Sequence, residues 1–139
     1  KFACQYLKER DCPLLIYQGR LNLIDRAPQD QGILDYCAEQ GIGFISFSPL
    51  AQGLLTDRYI NGIPADSRMA KEHFLKHSAL TPELLDRLKT WNMEAAAQGK
   101  TLAEEALAWI LRQKGVTSVL VGASSAAQLE KNMQCVYDC

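Results

Sequence analysis

The sequence predicts an α/β fold in which helices cover a parallel sheet, and three observations point there. Short, continuous apolar runs occur at 14–18 (LLIYQ), 43–48 (GFISFS) and 117–122 (TSVLVG). Segments with helical apolar spacing alternate with them. Capping and stopping residues stand where those helices should begin and end. Strands without polar alternation are those buried on both faces, as in a parallel sheet under helices.

Taken in order, residues 2–10 (FACQYLKER) read as the last turns of a helix, and Pro13 precedes the first apolar run. The polar stretch Asp25–Asp30, with Pro28, reads as a loop. Over 31–40, Ile33, Leu34, Cys37 and Ala38 form one helical stripe, and Gly41 stops it. Pro49 ends the second run. The segment 49–80 then reads as one loop, far longer than the usual few residues. Thr81 caps the next helix and Pro82 opens it, losing no needed donor. Leu84, Leu85, Leu88, Trp91, Ala95 and Ala96 keep helical spacing up to Gly99. Thr101 to Glu104 has the capping-box pattern, with Ala106, Leu107, Ile110 and Leu111 on one face and Gly115 past the end. Ser125 to Gln128 repeats that pattern before Leu129, Met133 and Val136. The expected strands are 14–18, 43–48 and 118–122, and the expected helices are 31–40, 82–98, 102–113 and 126–136.

The 139 residues are 47% hydrophobic and 22% charged, enough for one sizeable core. A net charge of −1 provides no basic field for nucleic acid or an anionic membrane, so neither partner is expected. No apolar run approaches the roughly 20 residues that cross a bilayer. The opening KFACQYLKERDC lacks the apolar core of a signal peptide. Cys4, Cys12, Cys37, Cys135 and Cys139 are odd in number and form no CxxC pair, which suits a reduced, cytoplasmic setting.

Parallel α/β folds bind ligands beyond the carboxyl ends of their strands. After the first run come Gln18, Gly19, Arg20 and Asn22; after the second, Phe47, Ser48 and PLAQGLLT; after the third, Gly122, Ala123, Ser124 and Ser125. Together these suit a flat, polar, phosphorylated ligand. The Gln18 amide matches a carboxamide, and Phe47 offers a flat face. Ser124 with the free N–H groups of the following helix makes an anion site. Arg58, Arg68 and Lys71 in the long loop suit a lid over phosphate. Each residue also has a plainer role: Gln18 as a strand-end amide, Phe47 as core, the arginines as solvated charge, Ser124–Gln128 as a cap. His73 and His77 stand four apart, but no HExxH pattern or third ligand accompanies them, so no metal site is expected. Neither GxSxG nor GxxxxGK occurs. Tyr17, Tyr59 and Lys71 have the residue types of an acid pair without a spacing that aligns them.

FSPLAQGLLTDRY, NGIPADSR and LAEEALAWILRQKGVTSVLVGASSAAQLEKN, in that order, resemble the aldo-keto reductase superfamily. Within it, the likeness is to the branch of bacterial glyceraldehyde-3-phosphate reductases and the beta subunits of voltage-gated potassium channels. The resemblance covers essentially the whole chain. It implies a (β/α)8 TIM barrel, of which residues 1–139 would be the C-terminal part of a single domain, carrying the last three strands. A whole barrel takes about 250 residues. It also implies NADPH binding and reduction of an aldehyde or ketone, a small-molecule carbonyl substrate. By position, Gln18 resembles the glutamine holding the nicotinamide carboxamide, and Phe47 the aromatic stacked on that ring. Ser48, Pro49, Leu50, Ala51 and Gln52 resemble the segment along the pyrophosphate, and Arg58 and Arg68 the lid near the phosphates. Gly122, Ser124 and Gln128 resemble the adenosine 2′-phosphate pocket, and Asn132 the adenine contact. Leu21 stands where many relatives carry tyrosine, and Lys131 where they carry an acidic residue.

The family's catalytic aspartate, tyrosine, lysine and histidine belong to earlier strands, whose motifs do not occur in these residues. The resemblance therefore implies no catalytic residue here and no activity of this chain alone, because the acid that protonates the carbonyl oxygen lies elsewhere. A competing implication is an NADPH-binding regulatory subunit of the channel type. A plain α/β interaction module without nucleotide is the third reading. The residues identify neither the carbonyl substrate nor the oligomeric state, and a homo-oligomer is compatible with them.

Overall fold

The structure, a computed structural model, describes residues 1–64, 67 and 77–138. Three parallel strands, β1 (Ile16–Arg20), β2 (Gly43–Phe47) and β3 (Val116–Val119), form a sheet in that order. The α-helices are α1 (Phe2–Lys8), α2 (Ala27–Asp30), α3 (Ile33–Gln40), α4 (Pro82–Ala97), α5 (Leu102–Leu111) and α6 (Ala126–Met133). Short 3-10 turns lie at Ala51–Gly53, Asp57–Tyr59, His77–Ala79 and Gln134–Asp138. No described helix is long and apolar enough to cross a membrane.

β2 is flanked by strands on both sides, and Phe44 and Ser46 on it are fully buried. Phe44 packs against Tyr17 of β1, ring centroids 5.8 Å apart, and joins a core of Leu21, Leu34, Cys37, Ile42 and Ile110. Burying such a side chain contributes about 1.5–3 kcal/mol. A Cβ at Gly19 would lie 2.8 Å from Phe44 Cζ and 2.9 Å from Tyr17 Cε1, so that strand position requires glycine. A second core joins Leu23 and Leu55 to Leu88 of α4 and Leu102 and Ala106 of α5. Cys4, Cys12 and Cys37 are free thiols, and burial, with Cys4 nearby, pushes the Cys37 thiol up, away from reactivity.

The expected spans shift in instructive ways. β1 occupies 16–20 rather than 14–18 because its partner begins only at Gly43, whose N–H bonds Leu15 O (2.8 Å) across the ladder's end. It is also an outer strand, with Leu15, Ile16 and Tyr17 exposed, and not one buried on both faces. β3 occupies 116–119 rather than 118–122. Its register slips between Phe44 and Ile45 of β2, and Thr117 Oγ1 accepts the Phe44 N–H at 3.1 Å. Beyond the Leu120 N–H bond to Ser46 O (2.8 Å), residues 121–122 pair with no strand among the described residues. The polar stretch read as a loop contains α2, with proline in its first turn, where a missing N–H costs nothing. Gly32, at φ 66°, separates α2 from α3, so the helix expected over 31–40 begins at Ile33. The last helix ends at Met133 and tightens into a 3-10 turn. Helices α4 and α5 lie where the capping residues Thr81 and Thr101 predicted.

Gly115, at φ 94°, turns the chain from α5 into β3, and a Cβ there would meet Leu34 O at 2.8 Å. In the full-length protein Gly115→Ala should lower the urea-unfolding free energy by about 1 kcal/mol or more; an unchanged midpoint would show that the turn relaxes freely. Leu15 and Leu120, 71% and 57% exposed, border outer strands of the described sheet. Residues 1–139 expressed alone should therefore self-associate in sedimentation experiments. A monomer with a sharp, high-temperature unfolding transition would contradict that.

Candidate functional site

The carboxyl ends of β1 and β2 are tied by buried side chains. Ser46 Oγ donates to Leu21 O at 2.8 Å. Asn22, 1% exposed, donates from Nδ2 to Ser48 O at 3.0 Å. Its Oδ1 accepts the N–H groups of Ile24 (3.0 Å) and Asp25 (2.8 Å). One carboxamide thus organises the turn after β1 and anchors the turn after β2. In that second turn Ser48, Ala51 and Gln52 have φ of 51°, 46° and 60°, left-handed values uncommon for residues other than glycine. Such positions cost on the order of 1 kcal/mol each and persist where surroundings enforce them. The backbone makes a hook, closed by bonds from Ala51 N–H to Ser48 O (3.0 Å) and from Leu55 N–H to Leu50 O (3.2 Å).

A groove of 1130 Å³ runs between this hook and the segment after β3. Ser48, Pro49, Leu50, Gln52 and Arg58 line one wall, and Gly122, Ser124, Gln128 and Asn132 the other. The fold thus brings together nine of the positions singled out in the sequence. Ala51 does not line the groove; it packs beneath, against the buried Leu54, Leu55 and Tyr59. Gln18 and Phe47 also lie off the groove. Their register partners are Ile45 and Arg20, so both project from the sheet face opposite Phe44. The Arg20 guanidinium sits 5.7 Å from the Phe47 ring centre and 3.8 Å from the Asp25 carboxylate. Phe47 leads directly into Ser48, so the sheet face and the groove are adjacent along the chain. Arg68, Lys71 and His73 lie outside the described residues.

Sequence reasoning missed Tyr59 and Thr101 as lining residues. Tyr59 is 1% exposed although it stands in a polar loop, a placement with no periodic signal. Thr101 was legible as a helix cap, and the cap faces the groove. It accepts the Glu104 N–H (3.3 Å) while Glu104 Oε2 accepts from Thr101 N (2.6 Å) and Oγ1 (2.7 Å). Burial pushes the Glu104 carboxyl up. The bonds from Thr101 and the charges of Lys131 and Lys100 outweigh this and hold it below the ordinary 4.5.

At α6 the expected reciprocal cap is displaced by one residue. Ser125 Oγ accepts the Gln128 N–H (3.2 Å), but Gln128 Oε1 accepts from the N–H (2.8 Å) and Oγ (2.9 Å) of Ser124, not from Ser125. Asn132 is 5% exposed, lines the groove, and its Nδ2 has no hydrogen-bond partner. A buried donor without an acceptor costs about 1–3 kcal/mol, which a ligand acceptor would remove.

Residues 3–137 match the profile of the Aldo/keto reductase family. The chain belongs to that family. It is 46% identical over 137 residues to the L-glyceraldehyde 3-phosphate reductase of Escherichia coli K12, covering 95% of this chain and 39% of that protein. It is 34% identical over 125 residues to a probable voltage-gated potassium channel subunit beta of Arabidopsis thaliana, covering 88% of this chain and 38% of that protein. It is 34% identical over 119 residues to an NADH-specific methylglyoxal reductase of E. coli K12, covering 85% and 36%. The chain thus spans under two fifths of the length of these relatives. Its fold also matches the crystal structure of a thermostable aldo-keto reductase, Tm1743, with a TM-score of 0.65 at 20% identity, covering 96% of this chain and 38% of that one.

Two expectations follow from the geometry. Asn22→Ala leaves two N–H groups and a carbonyl without their partner and should destabilise the full-length protein by about 2–3 kcal/mol, read by urea unfolding. A loss below 0.5 kcal/mol, roughly the effect of a surface change, would show that the hook holds without Asn22. The lowered Glu104 carboxyl should contribute stability above its ordinary 4.5 and lose it as pH falls through the folded value. Glu104→Gln should therefore flatten the acid limb of the stability profile, and an unaltered limb would count against this.

Proposed function

We propose that the whole protein is an NADPH-dependent aldo-keto reductase that reduces small aldehydes or ketones in the cytoplasm. Residues 1–139 are then the C-terminal part of its barrel and supply much of the cofactor site. The observation that carries this reading is the groove itself, which joins the strained hook after β2 to the start of α6 and contains the unpartnered Asn132 Nδ2. Both walls come from carboxyl ends of parallel strands, the usual place for nucleotides in such sheets.

The residues fit an extended dinucleotide. Gln18 supplies an amide for the carboxamide, and Phe47 an apolar ring face beside it. The hook from Ser48 to Gly53 lies along the middle of the groove, with Arg58 as the cation for the pyrophosphate. Gly122 keeps the far wall open: a Cβ there would meet nothing within 4 Å. Ser124, Gln128 and Asn132 hold the adenosine end. When bound, the cofactor supplies hydride to the carbonyl carbon. The proton for the carbonyl oxygen comes from a residue of the whole protein outside this chain, so these residues alone reduce no carbonyl.

The 34% identity to a probable channel beta subunit motivates a second reading, an NADPH-binding regulatory subunit. Measured turnover separates the two. The full-length protein should bind NADPH, seen as quenching of its tryptophan emission, and should oxidise it when given a small aldehyde. Gly122→Val places a branched side chain in open groove space, so melting should be unchanged while NADPH binding weakens about tenfold or more. NADPH binding without turnover on any small aldehyde would favour the regulatory subunit. Undiminished binding in the variant would move the cofactor out of the groove.

A further inference from the structure

Arg20 ends β1 on the sheet face opposite Phe44. Its register partner is Phe47, and Gln18, two residues back, pairs with Ile45, so these four side chains alternate away from the buried Phe44 and Ser46. The Arg20 guanidinium stands 5.7 Å from the centre of the Phe47 ring, within cation–π reach. Its Nη1 lies 3.8 Å from Asp25 Oδ2, a loose pair whose side chains are 58% and 37% exposed. The other oxygen of Asp25, Oδ1, accepts the Ala27 N–H at 3.2 Å, which ties the carboxylate to the start of α2. A loose, solvated pair offsets part of the guanidinium charge and leaves a positive field at the Phe47 ring.

The inference rests on the dinucleotide reading, in which Gln18 holds the carboxamide and Phe47 faces the nicotinamide ring. That ring is neutral in NADPH. Giving hydride to the carbonyl carbon leaves it a cation in NADP+, while the carbonyl oxygen takes its proton from outside this chain. An aromatic face by itself attracts the cationic ring. We propose that Arg20 reverses this preference and is the specificity-determining residue that separates the reduced cofactor from the oxidised one, by like-charge repulsion of the oxidised ring. The two cofactors carry the same phosphates, riboses and adenine, so the groove beyond the hook does not tell them apart. Two unit charges a few ångströms apart at a partly solvated site change affinity by about tenfold or more, and Asp25 offsets part of that effect. The oxidised cofactor therefore leaves readily after each reduction, and the reduced one replaces it.

The test uses the full-length protein, with NADPH and NADP+ titrated separately by quenching of tryptophan emission. The wild type should bind NADPH more tightly than NADP+. Arg20→Gln, which keeps a polar side chain without the charge, should tighten NADP+ about tenfold and leave NADPH within about twofold. Arg20→Lys should keep the wild-type preference. Asp25→Asn retains an oxygen for the Ala27 N–H and removes the opposing charge, so it should widen the preference. Raising the salt concentration should narrow the preference in the wild type and leave it unmoved in Arg20→Gln, since the phosphates common to both cofactors cancel in the ratio. An unchanged NADPH to NADP+ ratio in Arg20→Gln overturns the proposal and leaves Arg20 a surface partner of Asp25. Equal weakening of both cofactors in that variant also overturns it, in favour of a contact to a part they share or, with a lowered melting temperature, of a structural role. Equal affinity of the wild type for both cofactors overturns it while the groove reading stands. Binding of neither overturns the groove reading itself, and this inference with it.

Discussion

The carboxamide of Asn22 is buried between the ends of β1 and β2 and bonds the turns that follow both strands. A buried carboxamide left unpaired is costly, and this one has its oxygen shared by two N–H groups and its nitrogen on Ser48 O. The constraint acts in one direction along the chain. Ser48, whose O is held, leaves β2 in a left-handed conformation, and the left-handed pair Ala51 and Gln52 follows, with Ala51 packed against Leu54, Leu55 and Tyr59. The strain in the hook is balanced by that buried polar knot and by the apolar packing beneath it.

Ser46 extends the same logic to the opposite wall. Its hydroxyl holds Leu21 O toward β1, and its carbonyl accepts Leu120 N–H on the side of β3. Both walls of the groove are therefore positioned from adjacent atoms of one central strand. The caps of α5 and α6 finish the far end: Thr101 with Glu104 on one side, Ser124 and Ser125 with Gln128 on the other. Beside these engaged side chains the buried Nδ2 of Asn132 has no hydrogen-bond partner, which makes it chemically informative.

Much of this was legible in the residues. The apolar run at 43–48 is β2 almost to the residue, because a strand flanked on both sides carries no polar alternation. Thr81–Pro82 and Thr101–Glu104 placed α4 and α5, because capping is local chemistry. The runs at 14–18 and 117–122 were misplaced by about two residues, because a strand's limits depend on what its neighbour offers for pairing. The groove was half legible. Types after each strand suggested a flat phosphorylated ligand, and the family resemblance assigned positions within it. The left-handed Ser48, Ala51 and Gln52 were invisible, since no glycine marks them and long-range bonds enforce them. The burial of Tyr59 was invisible for the same reason. Gln128 was read as capping Ser125, whereas the fold turns its oxygen to Ser124, a one-residue difference that pattern alone does not resolve.

The central claim is that the hook after β2 and the start of α6 form the two walls of one cofactor groove. Backbone hydrogen exchange of the full-length protein, with and without saturating NADPH, tests it most directly. The account predicts slowed exchange in two separate stretches, 50–56 and 122–132, with little change across α1 and α3. Protection confined to one stretch, or appearing only elsewhere, would contradict it.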